Sequence, residues 1–377
     1  MKRRALLTVV LVLAALAAPV HASSDDSDLR VDAAAWYLVG EDGMVLAQSS
    51  SRRSRAIASI TKLMTAIVAL EQARPSDVVR VHPEAAGVGG STIFLRAGEE
   101  LTVADLVRGT LIPSANDAAT ALALHVGDGS SARFVSLMNA KAAELGLTDT
   151  TFANPHGLDA PGHLSSARDA TLLVRHALGI PLLGDALSRT SFTLPGGRDF
   201  PATDDLNASW PPLLGAKTGH TAAAGWSEAG AARARGATVY GAVLGGDSRA
   251  ARNEALLSLL RYGLASYRRI AGVDSTRVYA TAETGYGRPA VDLVASRTLP
   301  RTVHESKALM ERVVAPASVG LPVRKGQRLG RVEIWDGDRL VASSNLVAAA
   351  DVSEPGFLRK TAWFAERTAA NLWDIVS

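Results

Sequence analysis

The sequence predicts an α+β architecture: an antiparallel sheet covered by helices and carrying an all-helical insert, followed by a small, separate β-rich domain. Three observations carry this. Strand-like alternation stands at both ends of the stretch 30–270, with helical periodicity between them. From about Val273 the texture changes to short β-rich runs broken by turns. After Glu354-Pro355-Gly356 a last segment returns to helical spacing.

In chain order, Lys2, Arg3 and Arg4 precede the apolar run from Ala5 to Ala18, and Val20-His21-Ala22 places small residues at −3 and −1 of a cleavage site. A basic start, a short apolar core and a small-residue end predict a secretory leader over residues 1–22 and an exported protein. The run is too short for a comfortable membrane span. Residues 36–39 and 44–47, joined through Asp42-Gly43, predict a hairpin. A helix follows Ser59, with Ile60, Leu63, Met64, Ile67 and Leu70 on one face. Thr102 and Asp105 form a capped helix start, and helical patterns continue over 117–125, 133–145 and 166–177. Strands at 227–233 and 238–244 turn at Arg235-Gly236, and a helix over 249–267 closes the unit. Domain boundaries are therefore expected at 23–272 and 273–354, the second domain holding strands near 277–281, 291–294, 331–335 and 340–344. Asp336-Gly337-Asp338 is its clearest turn.

Composition excludes several functions. Without cysteine there is no disulfide framework, thiolate nucleophile or lipid-modified cysteine. The net charge of +3 comes with scattered arginines rather than a patch, so no nucleic-acid partner is expected. The eight histidines stand apart without a carboxylate cluster, and neither a metal nor another cofactor is called for.

The chemistry lies in three strings that occur in one order: Ser59-Ile60-Thr61-Lys62, Ser114-Ala115-Asn116 and Lys217-Thr218-Gly219. They supply a hydroxyl nucleophile, two amines, a second hydroxyl and an amide, which can open a carbonyl without histidine or metal. A serine hydroxyl needs a base to take its proton. Lys62 lies one helical turn from Ser59 on the same face. Burial and a second cation, Lys217, can lower its proton affinity enough for it to be that base. A second Ser-x-Asn, Ser343-Ser344-Asn345, reads as a surface turn. Spacings of 55 and 103 residues between the motifs make the ordered set specific.

At these residues the chain resembles the low-molecular-mass penicillin-binding serine D-alanyl-D-alanine carboxypeptidases; the same ordered motif set marks penicillin-binding proteins and β-lactamases generally. The likeness extends through Ala58–Thr65, Leu111–Ala118, the loop His156-Gly157-Leu158-Asp159, Ser165–Asp169, and His220-Thr221 with Ala224-Gly225. It implies a β-lactamase/transpeptidase-like catalytic fold over 23–272 and a β-rich stalk beyond it. The implied substrate is the stem peptide of peptidoglycan, with β-lactams as acylating inhibitors.

The resemblance implies Ser59, Lys62 and Ser114 as catalytic residues. Ser114 and Asn116 would relay a proton to the leaving amine and hold Lys62 and the substrate amide. Lys217 and Thr218 would hold the terminal carboxylate, and Gly219 and His220 complete the substrate wall. Backbone N–H groups of Ser59 and His220 would form the oxyanion hole. Relatives often carry an arginine about fifteen residues before the motif lysine. Here that position is Ala202, and Arg198 lies four residues earlier. Carboxylate recognition then rests on Lys217 and Thr218, or Arg198 swings in.

A β-lactamase shares the motifs, but the best-known class needs a Glu-x-x-Leu-Asn string that is missing here. A D-alanyl endopeptidase and a wall-binding scaffold are the remaining alternatives. Finally, Leu358, Ala362, Ala365, Ala369, Leu372 and Val376 form one apolar stripe over 355–377. This predicts an amphipathic helix lying on the membrane surface, which would make the exported protein peripheral on the outer face of the cytoplasmic membrane.

Overall fold

The computed structural model describes residues 9–16 and 29–376 and divides into two units, Ser24–Ser266 and Tyr267–Ser377, the latter joined by the strand Val9–Leu16. The larger unit is built on a five-stranded antiparallel sheet. Its spatial order is Val45–Ser49, Ala35–Gly40, Ala237–Gly246, Gly225–Ala234 and Leu213–Thr221. Period-two alternation divides its apolar residues between two faces. Tyr37, Val39, Ala242 and Leu244 join the main core under the helices, with Ala167–Leu178 packed against them. Leu38, Val239 and Gly241 face the closing helix Arg249–Ala265. That helix lies so close that a Cβ on Gly263 would come within 2.9 Å of Leu38.

The all-helical layer holds Lys62–Gln72, Val103–Leu111, Asn116–Val126 and Ser131–Glu144. Every residue of the first of these from Lys62 to Ala69 is buried, so it is a core helix rather than a surface one. Thr102 and Asp105 form the expected reciprocal capping box. Ser166 caps Ala167–Leu178 by accepting from the Asp169 N–H at 3.2 Å.

The smaller unit is a six-stranded antiparallel sheet ordered Val9–Leu16, Leu309–Pro316, Arg328–Asp336, Arg339–Ala348, Val291–Ala295 and Val278–Ala282, with its own apolar core. The leader expected over 1–22 falls partly outside the described residues. Its segment Val9–Leu16 runs as an edge strand against Leu309–Pro316.

Three expectations are corrected. The closing helix ends at Ala265, because Tyr267–Val273 is a strand paired with Leu299–His304. Ser343-Ser344-Asn345 is not a surface turn: it lies inside the strand Arg339–Ala348, with Ser344 buried. Ser59 stands not in the α-helix but on the 3₁₀ turn Ala58–Thr61 that leads into it. The turn follows from Ala58, which takes a left-handed φ of 47°. Non-glycine residues rarely adopt such a φ, and they cluster at functional sites.

Candidate active site

Three elements converge on Ser59. The first is its own turn and helix, which place the Lys62 ammonium group 2.7 Å from Ser59 Oγ. The amine's second partner is the carbonyl of His156, at 2.9 Å. Lys62 is completely buried. Loss of water around it, then the charge of Lys217, push its proton affinity well below that of an ordinary lysine, and Asp117 opposes this only in part.

The second element is the loop before Asn116–Val126. Ser114 sits at its tip with φ +62°, and its hydroxyl accepts a hydrogen bond from Lys217 Nζ at 2.9 Å. Asn116 does not bond Lys62 here. Its side-chain amide donates to the Gly89 carbonyl at 2.7 Å, and its N–H to the Ser91 carbonyl at 2.6 Å. The neighbouring Asp117 accepts from the N–H groups of Ile93 and Leu95 at 3.0–3.2 Å, which ties the 89–95 segment to the site.

The third element is the edge strand Leu213–Thr221. Lys217 is buried, and its amine bonds both Ser114 and the Thr218 carbonyl, the latter at 2.9 Å. Burial first, then Arg252, lower its pKa to about 7, while Glu228 and Asp204 pull the other way. Gly219 is required by closeness: a Cβ there would lie 2.7 Å from the Ile57 carbonyl and 3.1 Å from Ser59 N. The Thr218 hydroxyl pairs with that of Thr203 at 2.7 Å. The exposed His220 ring stacks on Trp226, with centroids 4.1 Å apart.

The His156 loop walls the cleft and is braced by residues the sequence reading passed over. His163 is buried, with its Nδ1 accepting from the Ala153 N–H at 3.0 Å. Its Nε2 must then carry the hydrogen and donate to Thr61 Oγ1, 2.7 Å away. Burial holds the pKa of both His156 and His163 near 4, so both rings are neutral at physiological pH. Thr65 Oγ1 donates to the Pro155 carbonyl at 2.5 Å, and Asp159 accepts from Thr221 Oγ1 at 2.6 Å. His163 carries no sequence signal because its partners are brought to it only by folding. Asp159 lay within a recognisable string, but its partner 62 residues away was not legible. Arg198 does not swing toward the site. It donates to the carbonyls of Ile93 and Phe94, at 3.2 and 2.7 Å, and pairs with Glu99.

Gly157 holds this loop against the nucleophile turn, with φ +88° and room for no side chain: a Cβ would fall 2.0 Å from the Ala58 carbonyl oxygen. Gly157→Ala should therefore displace the His156 carbonyl from Lys62. We expect a cost of about 2–4 kcal/mol, a melting temperature lowered by roughly 5–10 °C, and at least about tenfold slower acylation by penicillin. Wild-type melting together with wild-type acylation would show that the contact is dispensable.

Comparison with known proteins agrees with this geometry. The profile of the D-alanyl-D-alanine carboxypeptidase family matches residues 20–248, and that of the penicillin-binding protein 5 C-terminal domain matches 274–354. The chain is 32% identical over 357 residues to the D-alanyl-D-alanine carboxypeptidase DacD of Salmonella typhimurium, covering 89% of this chain and 91% of the relative. It is 30% identical over 346 residues to DacF of Bacillus subtilis, covering 88% and 89%. The crystal structure of penicillin-binding protein 5 from Haemophilus influenzae superposes with a TM-score of 0.62 at 27% identity, over 86% of this chain and 98% of that one. With the motif residues gathered around Ser59 and both profiles matched along the chain, this protein belongs to the D-alanyl-D-alanine carboxypeptidase family of serine peptidases.

Proposed function

We propose that this protein is a serine-type D-Ala-D-Ala carboxypeptidase that removes the terminal D-alanine from peptidoglycan stem pentapeptides through an acyl-serine, and that β-lactams acylate the same serine. The observation that carries this is the 2.7 Å contact between Ser59 Oγ and the amine of a lysine buried beside a second cation. In its neutral form Lys62 accepts the Ser59 proton as Oγ adds to the penultimate D-alanine carbonyl. The oxyanion forms against the backbone N–H groups of Ser59 and His220, each worth about 3–4 kcal/mol at the transition state. The C–N bond then breaks, and the departing amine takes a proton through Ser114, whose hydroxyl is held by Lys217. Lys217 and Thr218 hold the substrate's terminal carboxylate. Water finally cleaves the ester, with Lys62 again as base.

Labelling with a fluorescent penicillin, followed over minutes, separates the readings. Stable labelling together with D-alanine release from a pentapeptide supports the carboxypeptidase. Rapid loss of label would mean a β-lactamase, cleavage of cross-linked dimers an endopeptidase, and no labelling a scaffold. The C-terminal domain match favours the carboxypeptidase over the endopeptidase.

The protein is proposed to act after export, peripheral to the outer face of the cytoplasmic membrane. The helix Phe357–Val376 leaves Phe357, Leu358 and Phe364 exposed at 78%, 83% and 54%. Among the described residues, no single helix is long and apolar enough to cross a bilayer. The early turns are not fully detached, since Trp363 and Phe364 meet Tyr286 edge-on at 5.4 and 5.9 Å. An amphipathic face of this kind suits the interface plane of a lipid surface. Full-length protein should sediment with lipid vesicles at high salt, and protein truncated before residue 357 should stay in the supernatant. Equal recovery of both in the supernatant would dismiss the anchor.

A further inference from the structure

Beside the Lys-Thr-Gly strand lies a buried charged cluster that the reaction above does not use. Glu228 stands opposite Thr218 in the antiparallel register, so both side chains project from one face. Glu228 is 0% exposed and Asp204, which follows the Thr203 that bonds Thr218, is 9% exposed. The cation within ion-pair distance of Glu228 is Arg252, itself buried, whose Nε lies 3.2 Å from Glu228 Oε2. Arg252 is shared: it lies 3.6 Å from Asp205, donates twice to Asn253 Oδ1, and faces the Trp226 ring. Asp205 is already satisfied by Arg249 and Asn253.

Among the described residues, three buried carboxyl oxygens in this cluster, Glu228 Oε1 and Oε2 and Asp204 Oδ2, receive no donor. Yet Thr203 bonds Thr218, the register partner of Glu228, which brings Asp204 beside Glu228. Burial first, and Asp204 with it, raise the proton affinity of Glu228. Two ionised carboxylates are acceptors only and cannot bond. Buried together against one shared arginine, they would also repel. A single proton between them removes both difficulties. It converts one group into a donor and leaves one negative charge for Arg252 and Lys217.

We propose that Asp204 and Glu228 share one proton, and that the single negative charge left on the pair is the buried counter-charge that keeps Lys217 an ammonium for gripping the substrate's terminal carboxylate. Asp204 and Glu228 are thus positioning residues that act through Lys217, and the inference rests on the carboxylate-anchoring role proposed above for that lysine. Its electrostatic surroundings agree. Burial and then Arg252 disfavour the charged form of Lys217, while Glu228 and Asp204 favour it. The charge of Lys217 in turn disfavours that of Lys62 across the cleft. Arg249, from the same helix as Arg252, is neutralised by Asp205. Neither Ala202 nor Arg198, which is engaged with the Ile93 and Phe94 carbonyls, adds a positive charge beside Lys217.

The test compares Glu228→Gln, Asp204→Asn and the double variant. In each single variant the amide stands in for the protonated partner and donates to the remaining carboxylate, so the charge is unchanged. The alkaline limb of kcat/KM for a pentapeptide should then stay within about 0.3 pH unit of wild type. The double variant removes the charge. Lys217 then loses its proton at lower pH, and the limb should fall by about one unit, with KM raised about tenfold and kcat changed less. Infrared difference spectra should show a protonated-carboxyl band in wild type that disappears in each single variant.

Equal, additive shifts from the two single variants would mean that both acids are ionised and would overturn the proposal. An unshifted limb in a folded double variant would do the same, and so would a wild-type spectrum without the band, which remains decisive if the double variant does not fold. A protein that labels with penicillin but lacks the band refutes this inference alone. One that never labels refutes the activity, while the band still reports on the pair.

Discussion

Ser59→Ala is expected to abolish D-alanine release and covalent penicillin labelling, with kcat reduced on the order of 10⁵-fold, while the melting temperature stays within a few degrees of wild type. The reasoning is local. Ser59 Oγ is the hydroxyl that Lys62 Nζ contacts, at 2.7 Å, and the amine keeps a second acceptor in the His156 carbonyl when that hydroxyl is removed. No cavity of consequence opens, because a single oxygen is lost from a half-buried site. In acyl-transfer enzymes, removing the nucleophile costs about as much as removing the whole catalytic set, the residue of activity coming from binding and the oxyanion hole. Penicillin adducts located elsewhere by mass spectrometry in the Ser59→Ala protein would sink the assignment. Ser114 is the hydroxyl to watch, since it too contacts a buried lysine.

Lys62→Arg should be nearly as inactive as Lys62→Ala, each losing roughly 10³–10⁴-fold in acylation rate. An arginine keeps the positive charge but cannot give up a proton at any pH a protein tolerates, so it cannot serve as base. Wild-type Lys62 can, because burial and the nearby Lys217 both disfavour its charged form. The sign of the pH dependence follows. Acylation needs the neutral amine, so its rate should climb with pH as Lys62 loses its proton. Lys217→Ala, which removes the neighbouring positive charge, should move that acid limb upward in pH. Lys62 has no exposed surface, so the bulkier guanidinium strains its site. Lys62→Met, of similar length and uncharged, supplies the comparison in which packing is kept. If Lys62→Arg retained more than a small fraction of the wild-type acylation rate, the lysine would be only an electrostatic support.

The local pattern of residues revealed a large part of this site. Ser59 and Lys62 are three apart on a helical turn, so their contact is a short-range consequence of helix geometry. The glycine of Lys-Thr-Gly was also readable, although its reason, the 2.7 Å approach to the Ile57 carbonyl, needed coordinates. Asn116 shows the limit. Its position before a helix was legible, but its partner is the Gly89 carbonyl rather than Lys62, because the 89–95 segment folds back over the loop and takes up the amide. The strand expected near 340–344 is present, but it continues through Ser343-Ser344-Asn345, which the sequence presents as a surface turn. A serine-rich string looks like a turn until one face of it is seen to be buried in a sheet. The closing helix expected over 249–267 stops at Ala265, because Tyr267 already belongs to the strand Tyr267–Val273, whose pairing with Leu299–His304 is not written in local spacing.

The sequence by itself determined the layer types, the Ser59 and Lys62 pair proposed as nucleophile and base, the Lys-Thr-Gly string and the texture of the second domain. Each of these is written in short-range periodicity or in residues a few positions apart. Tertiary structure alone decided the protonation chemistry. Lys62 and Lys217 are ordinary lysines in the sequence; they become poor holders of a proton only because folding strips their water and sets them near each other and Arg252. The same holds for His163 bridging Thr61 and Ala153, and for Glu228, Asp204 and Arg252, which are 24 or more residues apart along the chain where they meet across the fold. The penalty for a buried charge depends on what surrounds it in three dimensions, and no spacing rule along the chain encodes that surrounding.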